Sequence, residues 1–129
     1  MLTVVAVVFL FFIFIGGILA AIAIPQFSAY RIKAFNAATQ ADLKNVRTAS
    51  EVYFADHSAY PESFAQLATA NPIMLSKDVT VDFQRSEDGK RYIIYAQHAK
   101  AQQMYRTSSE DLRIFWKLRE EAEDAYRPL

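Results

Sequence analysis

The sequence GGILAAIAIPQFSAYRIKAF, residues 16–35, contains the transition that decides the fold. It passes from two glycines through small and branched apolar residues to Pro25, and its first charges are Arg31 and Lys33. All 14 acidic and 14 basic side chains of the 129-residue chain lie after residue 30. The chain therefore joins an uncharged N-terminal segment to a region whose charge content is ordinary for a soluble domain.

Residues 1–24 are apolar except for Thr3 and the two glycines. A run of this length exceeds the roughly 20 residues that cross a hydrocarbon layer about 30 Å thick. We therefore predict a membrane-spanning helix. A cleaved secretory signal and an apolar core helix of a globular protein are the alternatives. The first fits less well because a basic start is missing, and the second because too little chain follows to bury such a helix on all sides.

The helical pattern continues beyond the apolar run. No glycine or proline occurs between Phe27 and Phe54, and apolar side chains recur there with spacings of three and four residues. This spacing puts them on one face of an α-helix. We predict a helix over residues 1–57, with an apolar half at 1–24 and an amphipathic half at 26–55. The side chains expected to pack against the rest of the protein are Leu43, Val46, Ala49 and Tyr53.

Gly16, Gly17 and Pro25 weaken the helix near the junction of its two halves. Proline inside a helix costs about 3 kcal/mol or more, and each glycine costs about 1 kcal/mol relative to alanine. One interpretation is a kink of the kind that membrane helices tolerate. The other is a segment that unwinds when its surroundings change, since a simple kink needs only one of the three residues.

Composition argues against several classes of function. The chain has no cysteine, and therefore no disulfide framework, thiol nucleophile or thiolate metal site. Its formal net charge is zero, whereas a nucleic-acid surface is normally basic. His57 and His98 are far apart and form no metal-binding motif, so we expect both at surface or loop positions. We predict no catalytic residues, no metal site, no cofactor and no nucleic-acid binding.

The head region, residues 58–129, has the signals of short strands and turns. Pro61 biases the residue before it towards extended backbone, and a short turn is expected at residues 63–67. Alternation of apolar and polar residues predicts strands at 79–83 and 92–99. The sequence SEDGKR between them predicts a hairpin turn in which Gly89 takes a positive φ. The inward-facing strand residues are expected to be Val79, Val81, Phe83, Tyr92 and Ile94.

The C-terminal sequence LRIFWKLREEAEDAYRPL, residues 112–129, supports two interpretations. Its apolar residues alternate from Leu112 to Leu118 as in a strand, whereas Ser108 and Asp111 have the spacing of a helix cap. The acidic run that follows is typical of a solvated surface, with cation binding as the alternative. This run consists of Glu120, Glu121, Glu123 and Asp124.

Residues 17–61 resemble the N-terminal helix and following turn of type IV pilins, particularly those of Geobacter-like bacteria, and GILAAIAIPQF is the most specific part. The resemblance implies an α+β fold in which a small antiparallel sheet packs on the second half of the helix. It favours a final strand to Leu118, an irregular tail and Trp116 in the core. It further implies a subunit held in the inner membrane, extracted by a pilus assembly machinery and stacked into an extracellular helical homopolymer.

The resemblance also implies roles for the apolar half. The stretch from Gly17 to Pro25, with Gly16 beside it, corresponds to the segment that loses helical hydrogen bonds on assembly. An apolar helix without a partner must be buried in lipid or against copies, and copies related by a repeated rotation and rise form an open helical assembly. The side chains implied to pack in the filament core are Phe9, Phe12, Ile13, Phe14, Ile18, Leu19, Ile22, Ile24 and Phe27.

The start of the chain departs from the pilin pattern. Pilins have a basic leader ending in glycine, a cut before an aromatic residue and a glutamate near the start of the helix. The corresponding positions here are Thr3, Val4 and Val8. Arg31 and Lys33 follow the apolar run and favour a cytoplasmic head, a conflict that a lysine-rich leader would remove. A type II secretion pseudopilin and a monomeric single-pass membrane-anchored binding module are the alternatives.

Overall fold

A computed structural model describes all 129 residues of the chain. It consists of two helices, five strands and a short 3-10 turn, which confirms the α+β fold class. The helices are α1 (Leu2–His57) and α2 (Phe64–Ala70). The strands are β1 (Val79–Arg85), β2 (Tyr92–His98), β3 (Gln103–Ser108), β4 (Phe115–Leu118) and β5 (Arg127–Pro128), and the 3-10 turn η1 (Glu123–Ala125) precedes β5.

Contacts within the chain divide it into two units. We call Met1–Lys33 the apolar unit and Ala34–Leu129 the head unit. Helix α1 contributes residues to both, and it is helical on either side of Pro25. The predicted long N-terminal helix is therefore confirmed, and its unwinding on assembly stays a prediction about a different state of the protein.

The five strands form one antiparallel sheet in the order β1-β2-β3-β4-β5, so each strand pairs with its neighbour in sequence. Ile94 of β2 pairs with Phe83 on one side and Thr107 on the other. This meander needs only short connections, because antiparallel neighbours can be joined by tight turns. It leaves one face of the sheet for α1 and the other face outward.

The β1–β2 connection is the predicted hairpin turn. Gly89 has φ of +69°, which non-glycine residues rarely adopt. A Cβ at this position would also lie 3.3 Å from the Cβ of Ala59. The Gly89 carbonyl accepts a hydrogen bond from the Tyr60 N–H at 2.8 Å. Glycine is therefore needed here both for the backbone conformation and for the close approach of the chain that leaves α1.

The core of the head unit lies between α1 and the inner face of the sheet. Leu43 and Val46 are 0% exposed, Tyr53 is buried, and Ala49 packs partly buried against them. Val79 is buried and Val81 is partly buried. The core cluster consists of Leu43, Val46, Tyr53, Tyr60, Leu67, Phe83, Tyr92, Ile94, Ala96, Tyr105 and Ile114.

The turn expected at residues 63–67 is the start of the longer helix α2. Ser63 has extended backbone, and its side chain accepts a hydrogen bond from the Gln66 N–H at 3.3 Å. This is an N-cap, which satisfies one of the free N–H groups at a helix start. The helix continues to Ala70 because Leu67 is fully buried in the core.

The C-terminal segment follows the favoured interpretation in part. Strand β4 ends at Leu118 as expected, and Trp116 packs against the core. The strand begins only at Phe115, and Leu112 is 55% exposed. The expectation of an irregular tail is wrong, because η1 brings the chain back and β5 pairs with the free edge of β4.

The position predicted for His98 is also wrong. His98 ends β2 on the inner face of the sheet and is only 3% exposed. Its ring stacks on Phe35 with a centroid distance of 4.0 Å, and its Nδ1 accepts a hydrogen bond from the Lys100 N–H at 3.0 Å. Strand alternation explains the burial, since Tyr92, Ile94 and Ala96 occupy the same face. His57, in contrast, is exposed at the end of α1.

Candidate functional site

The predicted filament-core side chains all lie on the surface of the apolar unit. Their exposed fractions run from 47% at Ile18 to 70% at Ile24. An 18-residue window of α1 has a mean hydropathy of 3.0, and 0% of it is buried within the protein. The interpretation as a buried core helix is therefore wrong. By length and composition, α1 is able to cross a membrane.

Gly16 and Gly17 have no packing role inside the chain. A Cβ at either position would meet no atom within 4 Å, and neither residue has a positive φ. Each glycine nevertheless costs a helix about 1 kcal/mol relative to alanine. Nothing in the folded chain offsets this cost. The folded chain therefore gives neither glycine a packing or backbone role.

Pro25 adds a second weakness to the same segment. Proline has no N–H, so the carbonyl of Ala21 lacks its helical donor. The residues between the glycines and Pro25 include Ala20, Ala21 and Ala23, which are small enough to let another helix approach closely. The segment from Gly16 to Pro25 thus combines weak helical hydrogen bonding with an open surface.

Within the head unit, the sheet is joined to α1 by a carboxylate that the sequence did not single out. Glu51 accepts a hydrogen bond from the Tyr92 hydroxyl at 2.8 Å and from the Tyr60 hydroxyl at 3.1 Å. Burial, reinforced by the hydrogen bond to Glu51, raises the pKa of Tyr60 to about 12. The same causes raise the pKa of Tyr92. Both phenols therefore stay protonated and donate at neutral pH.

A second acidic side chain of α1 holds the segment after α2. Asp42 is 4% exposed, and its carboxylate accepts hydrogen bonds from the Ser76 N–H at 2.7 Å and the Ser76 hydroxyl at 3.2 Å. The Arg47 guanidinium donates to the carbonyl of Leu112, in the β3–β4 loop. These contacts hold the segment before β1 and the β3–β4 loop against α1. Sequence alone showed these residues only as charges between apolar positions.

Two of the four acidic side chains in the run near the C-terminus form ion pairs, and the other two are exposed to solvent. Glu121 pairs with Arg127, and Glu123 pairs with Lys117 at 2.7 Å. The Leu118 N–H lowers the pKa of Glu121, and the hydrogen bond from Lys117 lowers the pKa of Glu123. Glu120 and Asp124 are exposed. No three His, Asp or Glu side chains converge as a metal-binding group.

Comparisons with known proteins do not assign a family. No family model matches the chain, and no curated protein matches it. Function must therefore be inferred from two features: an apolar helix surface that is exposed, and a head unit that has a core of its own.

Proposed function

We propose that the chain is the structural subunit of a type IV pilus-like filament. It is held in the inner membrane before assembly and polymerises through its apolar N-terminal helix into an extracellular homopolymer. The observation that carries the proposal is the exposure of nearly every large apolar side chain from Leu2 to Phe27. An apolar surface of this extent marks contact with a membrane or with another protein surface.

The hydrophobic free energy favours burial of this surface but does not distinguish between burial in lipid and burial in a filament core. Burying one Phe, Leu or Ile side chain contributes about 1.5 to 3 kcal/mol. The predicted core side chains together contribute on the order of 10 to 30 kcal/mol. Lipid and a filament core are similarly apolar, so transfer between them has a small hydrophobic term. Extraction from the membrane therefore requires an assembly machinery that does work.

In this proposal the segment from Gly16 to Pro25 unwinds as subunits pack. Support comes from Gly16 and Gly17, which have no role in the isolated chain, and from Pro25, which already lacks one helical hydrogen bond. Unwinding lengthens the chain locally, because an extended residue rises about 3.3 Å and a helical one 1.5 Å. The length of this segment then adjusts the spacing of neighbouring helices.

The test is cryo-electron microscopy of material sheared from cells, with the N-terminal residue determined by mass spectrometry. We expect long filaments of this chain, with the apolar helices in the interior and no helical density between Gly17 and Pro25. Apolar helices that face water would contradict polymerisation through them. A continuous helix through Pro25 in the filament would contradict the unwinding alone. Short periplasmic assemblies would instead indicate a pseudopilin.

A single-pass membrane-anchored binding module is the second candidate, because α1 is long and apolar enough to cross a membrane. The absence of cysteine allows a direct comparison. In a filament, Ala21→Cys should give a ladder of disulfide-linked species under oxidation, because the helices lie side by side. Met74→Cys, at a 92% exposed position of the head, is the control for random collision. A monomeric anchor should give no more cross-linking at position 21 than at position 74.

A further inference from the structure

The outward face of the sheet carries a groove of about 500 Å³ between the β1–β2 hairpin and the β3–β4 loop. We call it the outer groove. Residues of β3 alternate between the two faces: Tyr105 and Thr107 are buried, whereas Arg106 and Ser108 are half-buried and point outward. The strand residues that line the outer groove include Ile93, Arg106, Ser108 and Phe115.

Arg106 is the unusual residue of the outer groove. Its guanidinium lies over the ring of Tyr126 at 4.3 Å and near the ring of Phe115 at 5.6 Å. These two rings hold the side chain half-buried. Its guanidinium forms no hydrogen bond or ion pair within the protein. The carboxylate that senses its charge is that of Glu123, whose pKa it helps to lower, and Glu123 is already paired with Lys117 at 2.7 Å. A guanidinium carries five donors. None of the Arg106 nitrogens is a buried atom without a partner, so its donors face solvent and are free to bind a ligand.

The other charged side chains that line the outer groove all have opposite partners. Arg85 pairs with Glu62 at 3.0 Å, Arg91 with Glu110 at 3.4 Å, and Asp111 with Arg113 at 2.7 Å. These pairs cancel in charge. Arg106 has no ion pair of its own, and the nearby Glu123 is ion-paired with Lys117, so one net positive charge remains at Arg106.

We propose that the outer groove binds a small organic acid through one carboxylate, which Arg106 holds. The planar fork of a guanidinium matches both carboxylate and phosphate. A phosphate monoester carries a charge of about −1.5 to −2 at neutral pH, which is more than the single positive charge of Arg106 neutralises. A carboxylate carries one negative charge and matches Arg106.

The other side chains that line the outer groove indicate what the part of the ligand beyond its carboxylate is like. Ile93 is 37% exposed and, with the edge of Phe115, offers an apolar surface beside the guanidinium. The volume falls in the range of about 300 to 1,000 Å³ that is usual for small-molecule sites. The ligand class is therefore a monocarboxylic acid with an apolar body. This site is independent of whether the chain polymerises.

The test uses the full chain in nonionic detergent micelles and follows backbone amide signals by NMR. Benzoate is the probe, benzamide is its neutral counterpart of the same shape, and inorganic phosphate is the competing anion. We expect saturable shifts with benzoate at Ile93, Arg106 and Ser108, and binding of the other two probes weaker by at least about tenfold. Equal binding of benzamide, or no shift with benzoate up to its solubility limit, would overturn the proposal.

Two variants localise the binding. Arg106→Gln keeps hydrogen-bond donors but removes the charge, and it should weaken benzoate at least about tenfold. Arg106→Lys keeps the charge without the fork and should retain part of the affinity. Arg127→Gln is the matched control, because that guanidinium lies over Trp116 at 4.8 Å and does not line the outer groove. Unchanged binding in folded Arg106→Gln would place the carboxylate elsewhere. If that variant is unfolded, the benzoate and benzamide titrations of the unaltered chain decide.

Discussion

The apolar unit and the head unit contain the same kinds of apolar side chain, but these are exposed in the apolar unit and buried in the head unit. Leu43 of the head unit is 0% exposed, whereas Leu19 of the apolar unit is 62% exposed. Both lie in one helix, and both are leucine. What differs is the rest of the chain: the head unit supplies a sheet that covers its leucine, and the apolar unit has nothing comparable. Hydrophobicity alone therefore does not tell whether a side chain is covered by its own protein.

Charge patterning accounts for the difference. In the head part of α1, Asp42, Lys44 and Arg47 are interleaved with the apolar stripe, so that only one face of the helix is apolar. The apolar unit has no charge before Arg31 and is apolar all around. A helix of that kind is buried in a membrane or in a large core. The head unit needs water on one side, whereas the apolar unit needs a non-aqueous surrounding on every side.

The largest expected effect comes from making the same substitution in both units. Leu43→Ala should lower the free energy of unfolding of the head unit by about 2 to 5 kcal/mol, because it opens a cavity in a closed core. Leu19→Ala should leave that unfolding transition unchanged. Chemical denaturation in nonionic detergent, followed by near-UV circular dichroism, measures both. Equal destabilisation by the two substitutions would contradict the division into a self-sufficient unit and a dependent one.

A charge introduced into the apolar unit should affect membrane insertion and assembly but not the stability of the head unit. Ile18→Arg puts a cation where a membrane helix tolerates it only at a cost of about 2.5 to 3.5 kcal/mol. We expect less efficient membrane insertion and the loss of any filaments, whose close-packed interior has no place for an unpaired charge, with an unchanged unfolding transition of the head unit. Cell fractionation and electron microscopy provide the readouts, and Ile18→Leu is the conservative control. Normal insertion and assembly of Ile18→Arg would mean that position 18 faces water in the working protein.

The hydrogen bonds at Glu51 offer a smaller effect that is confined to the head unit. Glu51→Ala removes the acceptor of the Tyr60 and Tyr92 hydroxyls and should destabilise the head unit by about 1 to 3 kcal/mol. Glu51→Gln retains an acceptor oxygen and should cost less. Thermal unfolding of the two variants gives the comparison. If the alanine and glutamine variants unfold at the same temperature, the hydrogen bonds from the two tyrosine hydroxyls do not stabilise the packing of the sheet on α1.

Acid should have the smallest effect, and again only on the head unit. Hydrogen bonds from Arg113 lower the pKa of Asp111 from 3.8 to about 2. Because the folded-state pKa is the lower one, this stabilisation is present above pH 3.8 and is lost as the pH falls towards 2. Asp111→Asn should flatten the decline of stability in that window, measured by denaturation at a series of pH values. Residues 1–29 contain no titratable side chain, so membrane partition of the apolar unit should not follow this profile.

Several features of the fold were predictable because they depend on local spacing. The long helix, strands β1 and β2 and the turn at Gly89 all follow from periodicity or from one glycine. Strand β5 was not predictable, since a two-residue strand containing Pro128 has no pattern of its own. It exists because the edge of β4 is within reach. His98 was misjudged because it was treated as an isolated imidazole and not as the last inward position of β2.

The site was predictable to a different extent in each unit. In the apolar unit, the filament-core residues and the segment from Gly16 to Pro25 could be proposed from sequence, because an uncovered apolar surface needs no knowledge of other residues. In the head unit, Arg106 gave no signal in the sequence, and strand β3 itself was not predicted. What distinguishes Arg106 is that its guanidinium has no ion-pair partner. This can be seen only from the structure, which gives the position of every carboxylate.

By itself, the sequence determined that the first 30 residues require an apolar surrounding and that the rest can form a core in water. Both conclusions follow from which side chains can leave water, a property that each residue carries with it. Only the tertiary structure decided the fate of individual charges. Lys117 is 5% exposed because Glu123 and the ring of Tyr126 fold back over it, whereas Arg106 stays without an acceptor. The energy of a charge depends on its distance to other charges and on local solvation, and the fold sets both.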